Sequence, residues 1–285
     1  NPNAVRAFHK RKSKDSAKAK RFSMRALEAK LAKLDPQPDF VTKPWKHQLV
    51  SFLLSVVYGS YFLMLDMGIG KSKIAIDLFR YWRKCGKARR LLVFVPFESN
   101  VSQWAAEVEK HAPGMVVATL DSSVSGQARI DAVEDLDNDV VVITYAGWLR
   151  LVKKDVENKK GKNTWKPDPV LAKRYGALFQ QLIPDESDAI KNHQSSFYVM
   201  CRQLMKHIPY RYPLSGTPTA GKDAQDLWSQ FYFIDEGETL GETLGLFRSA
   251  YFNEVETPWS TEYKLSKHME PDLHRRLRNR SIRYT

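Results

Sequence analysis

The segment Tyr61–Lys73, YFLMLDMGIGKSK, restricts the fold of this chain more than any other. Tyr61 to Leu65 is an apolar run of strand composition, and Lys73 to Tyr81 has helical spacing. Between them stands Gly68-Ile69-Gly70-Lys71-Ser72. Glycines let a backbone turn so that its N–H groups converge on one concavity, and a helix that starts there adds its positive end. A lysine next in sequence reaches the terminal phosphates of a nucleotide, and a serine hydroxyl ligates Mg²⁺. The spacing therefore predicts a phosphate-binding loop between a strand and a helix. Leu65 stands where the strict pattern has its first glycine, so the loop alone also reads as a glycine turn before a basic surface helix.

The chain around this loop alternates strands and helices. Leu91–Val95 and Asp139–Tyr145 are apolar strand runs, Met115–Leu120 is a shorter one, and Val101–His111 reads as a helix. This order predicts an α/β fold with a mostly parallel central sheet covered by helices on both faces. Ligands in such sheets bind at the carboxyl ends of the strands, where the glycine loop falls. Upstream, Pro44–Tyr58 holds Gln48 ahead of an apolar helix, and its amide offers a donor and an acceptor suited to the edge of adenine. Downstream, the apolar Leu182-Ile183-Pro184 delivers Asp185-Glu186-Ser187-Asp188. Adjacent carboxylates at a strand end suit a Mg-nucleotide site, one holding the metal and the next orienting or deprotonating water. Taken alone, the same residues read as an acidic turn capping a helix. A further strand end, Tyr210–Leu214, delivers Ser215-Gly216-Thr217-Pro218-Thr219, whose hydroxyls would sense the terminal phosphate.

Three basic regions flank this frame and account for much of a formal net charge of +13. Residues 1–34 form an arm rich in Lys and Arg, with Met24, Leu27, Leu31 and Leu34 spaced for a docking helix. Asp35-Pro36-Gln37-Pro38 marks the boundary after it. Residues 151–176 read as an exposed basic insertion, with Gly161 and Pro167 breaking regular structure and Trp165 available for stacking. Residues 256–285 read as a basic linker, with His274-Arg275-Arg276-Leu277-Arg278 in a helix-like stretch. Such an excess of positive charge favours polyanions, nucleic acid first among them. Cys85 and Cys201 are far apart, so neither a disulfide framework nor a cysteine metal site is expected. No apolar run is long enough to span a bilayer and no secretory signal is expected, which points to a cytoplasmic setting, or a nuclear one in a eukaryote.

Taken in order, these segments resemble superfamily 2 helicases, and within them Swi/Snf-type DNA translocases. Lys46-His47-Gln48 is similar to the adenine-recognition motif, and Asp66–Ser72 to the nucleotide loop. Val95-Pro96 with Gln103-Trp104 and Glu107 resembles motif Ia and its helix, and Ile143-Thr144-Tyr145 resembles motif Ib. Asp185-Glu186 with Ile190-Lys191-Asn192 resembles motif II, and Ser215-Gly216-Thr217-Pro218 resembles motif III. The likeness covers roughly Pro44 to Asn253, and its end, Phe231–Phe252, is more similar to bacterial and phage members. Pro184, Asp188 and Ser72 depart from the family, which more often has an apolar residue able to donate a backbone hydrogen bond, histidine and threonine there.

The resemblance implies a RecA-like lobe that binds ATP and Mg²⁺ and acts on DNA, duplex DNA above all. Gln48, Gly68, Ile69, Gly70, Lys71, Ser72 and Lys73 would form the nucleotide site, with Ser72 and Asp185 on the metal. Lys71, Asp185 and Glu186 would carry the chemistry, Glu186 on the attacking water, while Asp188, Ser215 and Thr217 would couple it to DNA. Arginines from a second RecA-like lobe complete such motors. No second glycine loop or arginine-bearing motif follows Asn253, so that lobe would have to come in cis or trans. Two alternatives stand beside this reading: a strand-separating RNA or DNA helicase lobe, and a non-catalytic nucleic-acid-binding adaptor that retains a nucleotide pocket.

Overall fold

The computed structural model describes residues 23–157, 163–218, 223–257, 259 and 261–284. The first 22 residues of the basic arm, Thr219, residues 158–162 and the side chain of Trp165 lie outside that description.

Helix α1 (Met24–Leu31) is capped by Ser23, whose Oγ accepts the Ala26 N–H. Next come α2 (Lys46–Tyr58), β1 (Phe62–Leu65), α3 (Lys71–Lys84), β2 (Leu91–Val95) and α4 (Glu98–His111). They lead to β3 (Val117–Leu120), α5 (Gly126–Glu134), β4 (Val140–Thr144) and α6 (Tyr145–Val152). A hairpin of β5 (Lys153–Glu157) and β6 (Asn163–Pro167) follows, then α7 (Pro169–Gly176), β7 (Gln181–Pro184) and α8 (Ser196–Leu204). Short strands β8 (Tyr210–Arg211) and β9 (Leu214–Ser215) precede α9 (Asp226–Asp235) and α10 (Leu244–Tyr251). The chain ends in a hairpin of β10 (Phe252–Glu256) and β11 (Thr261–Leu265), then α11 (Glu270–Arg280) and β12 (Ser281–Tyr284).

The central sheet is parallel throughout. Strands β3, β4, β2, β7 and β8 lie side by side in that order, and β9, β1 and β12 continue the layer. The Tyr61 N–H donates to the Arg211 carbonyl and the Leu63 N–H to that of Pro213, which joins the two groups of strands. Strands read as near-continuous apolar runs because both faces are buried. Leu92, Phe94, Val141 and Ile143 enter one core, while Leu91, Val93, Val140 and Val142 enter the other. Helices α2, α3 and α4 cover the second core; α6 to α11 cover the first. The β7–β8 pairing stops at Leu182 and Arg211. Continuing that register sets Pro184 opposite Pro213, so the missing Pro184 N–H falls where the ladder has already lapsed.

Several basic segments differ from their reading as arm, insertion and linker. Leu27 of α1 is buried in the core against α2, the docking its spacing predicts, so the helix of the arm is part of the lobe. In the insertion, Lys153–Glu157 and Asn163–Pro167 pair as antiparallel strands. The stretch after them is a helix, because Asp168 caps it (Val170 N–H to Oδ1, 2.8 Å) and Pro169 fits its first turn. Ala172 and Tyr175 of that helix are core residues. At the carboxyl end, β12 pairs with β1 along its whole length and extends the sheet, while α11 packs Leu273 into the first core and buries Arg276. Among the described residues, no helix is long and apolar enough to cross a membrane.

Candidate functional site

The phosphate loop runs from the end of β1 to the start of α3. Gly70 caps α3 in a left-handed conformation with φ of 84°, and Gly68 has φ of 81°. At Gly70 a Cβ would also meet Gln48 Nε2, so a larger residue there would have to displace the Gln48 amide besides adopting a positive φ. The loop opens on a cleft of about 650 Å³ that reaches from Trp45 and Gln48, across Gly68–Lys73, to Asp185 and Glu186. In volume and position it matches a ligand site at the carboxyl ends of parallel strands.

Lys71 and the acidic pair meet at one end of the cleft. Lys71 Nζ donates to the Leu65 carbonyl at 2.9 Å and lies 3.9 Å from Glu186 Oε1. Glu186 takes a left-handed conformation with φ of 46°, costly for a residue with a Cβ and concentrated at functional sites. Burial raises the Glu186 carboxyl above its ordinary value, against the pull of Lys71. Burial raises Asp185 as well, opposed by hydrogen bonds from Trp104 and the Glu186 N–H. Trp104 Nε1 donates to Asp185 Oδ2 at 2.8 Å, and the Glu186 N–H to Asp185 Oδ1 at 3.0 Å. The Tyr145 hydroxyl donates to the Asp185 carbonyl at 2.9 Å. Each Asp185 oxygen keeps a lone pair and Ser72 lines the same cleft, so the oxygen chemistry available there fits Mg²⁺ and its waters.

The remaining expected residues are distributed unevenly. Ser215 is buried beside Met64 of β1 and its Oγ accepts the Thr217 N–H at 3.1 Å. A Cβ on Gly216 would lie 3.8 Å from Lys71 Nζ, so the Ser215–Thr217 turn abuts the lysine. Gln48 is buried, and its amide is engaged within the chain. Oε1 accepts the Trp45 N–H at 2.9 Å and Nε2 donates to the Ile69 carbonyl at 3.2 Å. Lys73 is buried and paired with Asp77 at 2.5 Å, so it lines the cleft with its charge already compensated. Asp188 sits in the 3₁₀ turn Ser187–Ile190, and the Ser187 hydroxyl donates to Gln230 Oε1 at 2.9 Å.

Sequence reasoning missed the support beneath these residues. Trp104 belongs to the Gln103-Trp104 block, but its bond to Asp185 spans 81 residues and leaves no local signal. His47, next to Gln48, contacts the Ile69 carbonyl at 2.9 Å through Nε2. Trp104 and Tyr145 lie in the blocks similar to motifs Ia and Ib, but nothing in those blocks signals that both bond Asp185.

Residues 45–283 match the SNF2-related domain. The chain belongs to that family. Among relatives of this SNF2-related domain, protein p41 of Acyrthosiphon pisum secondary endosymbiont phage 1 is 25% identical over 78% of the chain and 45% of its own length. The Mus musculus DNA excision repair protein ERCC-6-like is 30% identical over 65% of the chain and 14% of its own. The chain thus spans less than half of either relative. Among solved structures, the Sulfolobus solfataricus SWI2/SNF2 ATPase core domain superposes with a TM-score of 0.57 at 25% identity. It covers 87% of this chain and 45% of that one. The same core in complex with dsDNA gives 0.60 at 23%, covering 86% and 45%, and shares the fold.

Proposed function

We propose that this SNF2-related domain is the ATP-binding lobe of a DNA-dependent ATPase that translocates on or remodels duplex DNA. The observation that carries the reading is the meeting of Lys71, Glu186 and Asp185 at the mouth of a glycine loop, 3.9 Å between the first two. Lys71 would bind the β- and γ-phosphates, with Gly68, Ile69 and Gly70 offering backbone around them. Ser72 and Asp185 would hold Mg²⁺, which when bound neutralises charge on the phosphate oxygens. Glu186, with its raised carboxyl, would position the attacking water and take its proton. Gln48 would meet the adenine edge with the N–H and the Oε1 lone pair left over from its bonds to Ile69 and Trp45. Ser215 and Thr217, against Lys71, would report the γ-phosphate to the DNA side, with Asp188 beside them, and Lys73 would support the loop through Asp77.

Residues 1–34 would serve as an arm on the nucleic acid, and the paired strands Lys153–Glu157 and Asn163–Pro167 would be available to it. A second RecA-like lobe, in cis or trans, would supply the arginines that the transfer step needs. DNA affinity measured at one fixed salt, with and without a magnesium-bound, non-hydrolysable ATP analogue, tests the proposal. The reading expects duplex to bind better than single strands or RNA, and the analogue to shift that affinity. Preference for single strands or RNA would favour a strand-separating helicase lobe. Binding indifferent to the analogue would favour the adaptor.

A further inference from the structure

We infer that β12 and His47 jointly position the phosphate loop, so that nucleotide occupancy is felt in the carboxyl-terminal strand. The inference rests on the nucleotide reading of the cleft and goes beyond it. Two connections run from Tyr284 to the loop, one to its start and one to its middle.

The first is through the main chain. Leu65, the last residue of β1, pairs with Tyr284, the last residue of β12. Asp66, the first residue after β1, donates its N–H to the Tyr284 carbonyl at 3.1 Å. The start of the loop is thus part of the β12 ladder. The second connection is through side chains. The Tyr284 ring lies 5.5 Å from the His47 ring, centroid to centroid. His47 Nε2 donates to the Ile69 carbonyl at 2.9 Å, since a carbonyl only accepts. Gln48 donates to the same oxygen. Ile69 stands between two glycines at positive φ, where the backbone turns at low cost. Holding its carbonyl decides which way the neighbouring N–H groups face.

What makes this more than scaffolding is the place of β12. It sits at the end of the strand order, bonded to β1 alone among the described strands. A short edge strand opens locally at lower cost than the strands between it and the middle of the sheet. A ligand that fixes the loop therefore has a nearby element left to fix, and the coupling must run both ways. His47 and Tyr284 are positioning residues in this account; neither touches the phosphates.

Amide hydrogen exchange of the full chain, with and without magnesium and a non-hydrolysable ATP analogue, tests it. In the wild type the analogue is expected to slow exchange at residues 68–72 and also, by about fivefold, at 282–284. His47→Ala should keep the native exchange pattern elsewhere, bind the analogue more weakly and lose most of the slowing at 282–284. His47→Gln should recover affinity, because its amide reaches Ile69, but not the slowing, because it offers no ring to Tyr284. Tyr284→Leu, which keeps the strand and removes the ring, should likewise lose the slowing. Protection at 68–72 with none at 282–284 in the wild type overturns the linkage. Slowing at 282–284 undiminished in both His47→Ala and Tyr284→Leu overturns the side-chain route. Protection at neither place overturns the nucleotide reading and the linkage with it.

Discussion

Lys71 and Glu186 face each other across 3.9 Å at the end of the phosphate loop, although 115 positions of sequence separate their numbers. Lys71 is held by the Leu65 carbonyl and Glu186 by an unusual backbone conformation, so neither is placed by the other. The lysine has a carbonyl and a distant carboxylate for partners, and burial raises the Glu186 carboxyl above its ordinary value.

Lys71→Ala should therefore remove a charge-assisted contact that nothing else in the loop replaces. Such contacts are worth up to about 3 kcal/mol, so the dissociation constant for MgATP should rise by roughly two orders of magnitude. Titration with a fluorescent ATP analogue reads this directly.

Glu186→Gln should keep nucleotide binding and, once a second lobe is supplied, lower DNA-stimulated turnover by about 10²–10⁴-fold. Single-turnover hydrolysis with DNA is the measurement. Full turnover in the variant would remove Glu186 from the chemistry.

Trp104→Phe should act through Asp185. The indole N–H opposes the rise that burial imposes on that carboxyl, so its loss raises the carboxyl further and favours the protonated form. A protonated carboxyl holds Mg²⁺ poorly. Magnesium-dependent ATP binding should weaken about fivefold near neutrality, and should fail at a higher pH than in the wild type as the solution is acidified. Titration of ATP binding against Mg²⁺ at several pH values checks this.

Much of the site was legible because it is local. Strand runs such as Leu91–Val95, the Gly68–Ser72 spacing and the Asp185-Glu186 strand end each carry their signal within a few residues. Two kinds of information were not. Contacts that cross the sheet, such as Trp104 to Asp185 and Tyr284 to Asp66, depend on strand order. Elements written in charged residues were the other kind. Ser281-Ile282-Arg283-Tyr284 alternates for only four residues after an arginine-rich helix, and an edge position needs no longer apolar run. Pro169–Gly176 was hidden because the basic stretch around it, with Gly161 and Pro167 as breakers, read as irregular throughout, whereas Pro169 starts a helix.

Gly70→Ala should cost more than Gly68→Ala. Both residues have positive φ, which penalises alanine by about 1–2 kcal/mol. Only at Gly70 does the new Cβ also meet a neighbour, Gln48 Nε2 at 2.3 Å. Adding Gln48→Ala to Gly70→Ala should recover the steric part and leave the backbone part. Urea denaturation of the single and double variants separates the two.

The buried Lys73–Asp77 pair should leave a trace in the pH dependence of stability. Burial pushes the Asp77 carboxyl up to about 6, against the hydrogen bond and charge of Lys73. The folded protein then holds this proton more tightly than the unfolded chain, so stability from this group is present at low pH and is lost as pH rises through about 6. The stability of the wild type relative to Asp77→Asn should fall by about 2 kcal/mol between pH 4 and pH 7. Urea titrations of both proteins across that range give the difference.

The account stands most directly on equilibrium binding of MgATP to this chain, measured by calorimetry beside Lys71→Ala. Saturable binding at one site is expected, dependent on Mg²⁺ and weakened by roughly two orders of magnitude in a variant that keeps the wild-type circular dichroism. No binding by the wild type, or equal binding by the variant, would contradict it.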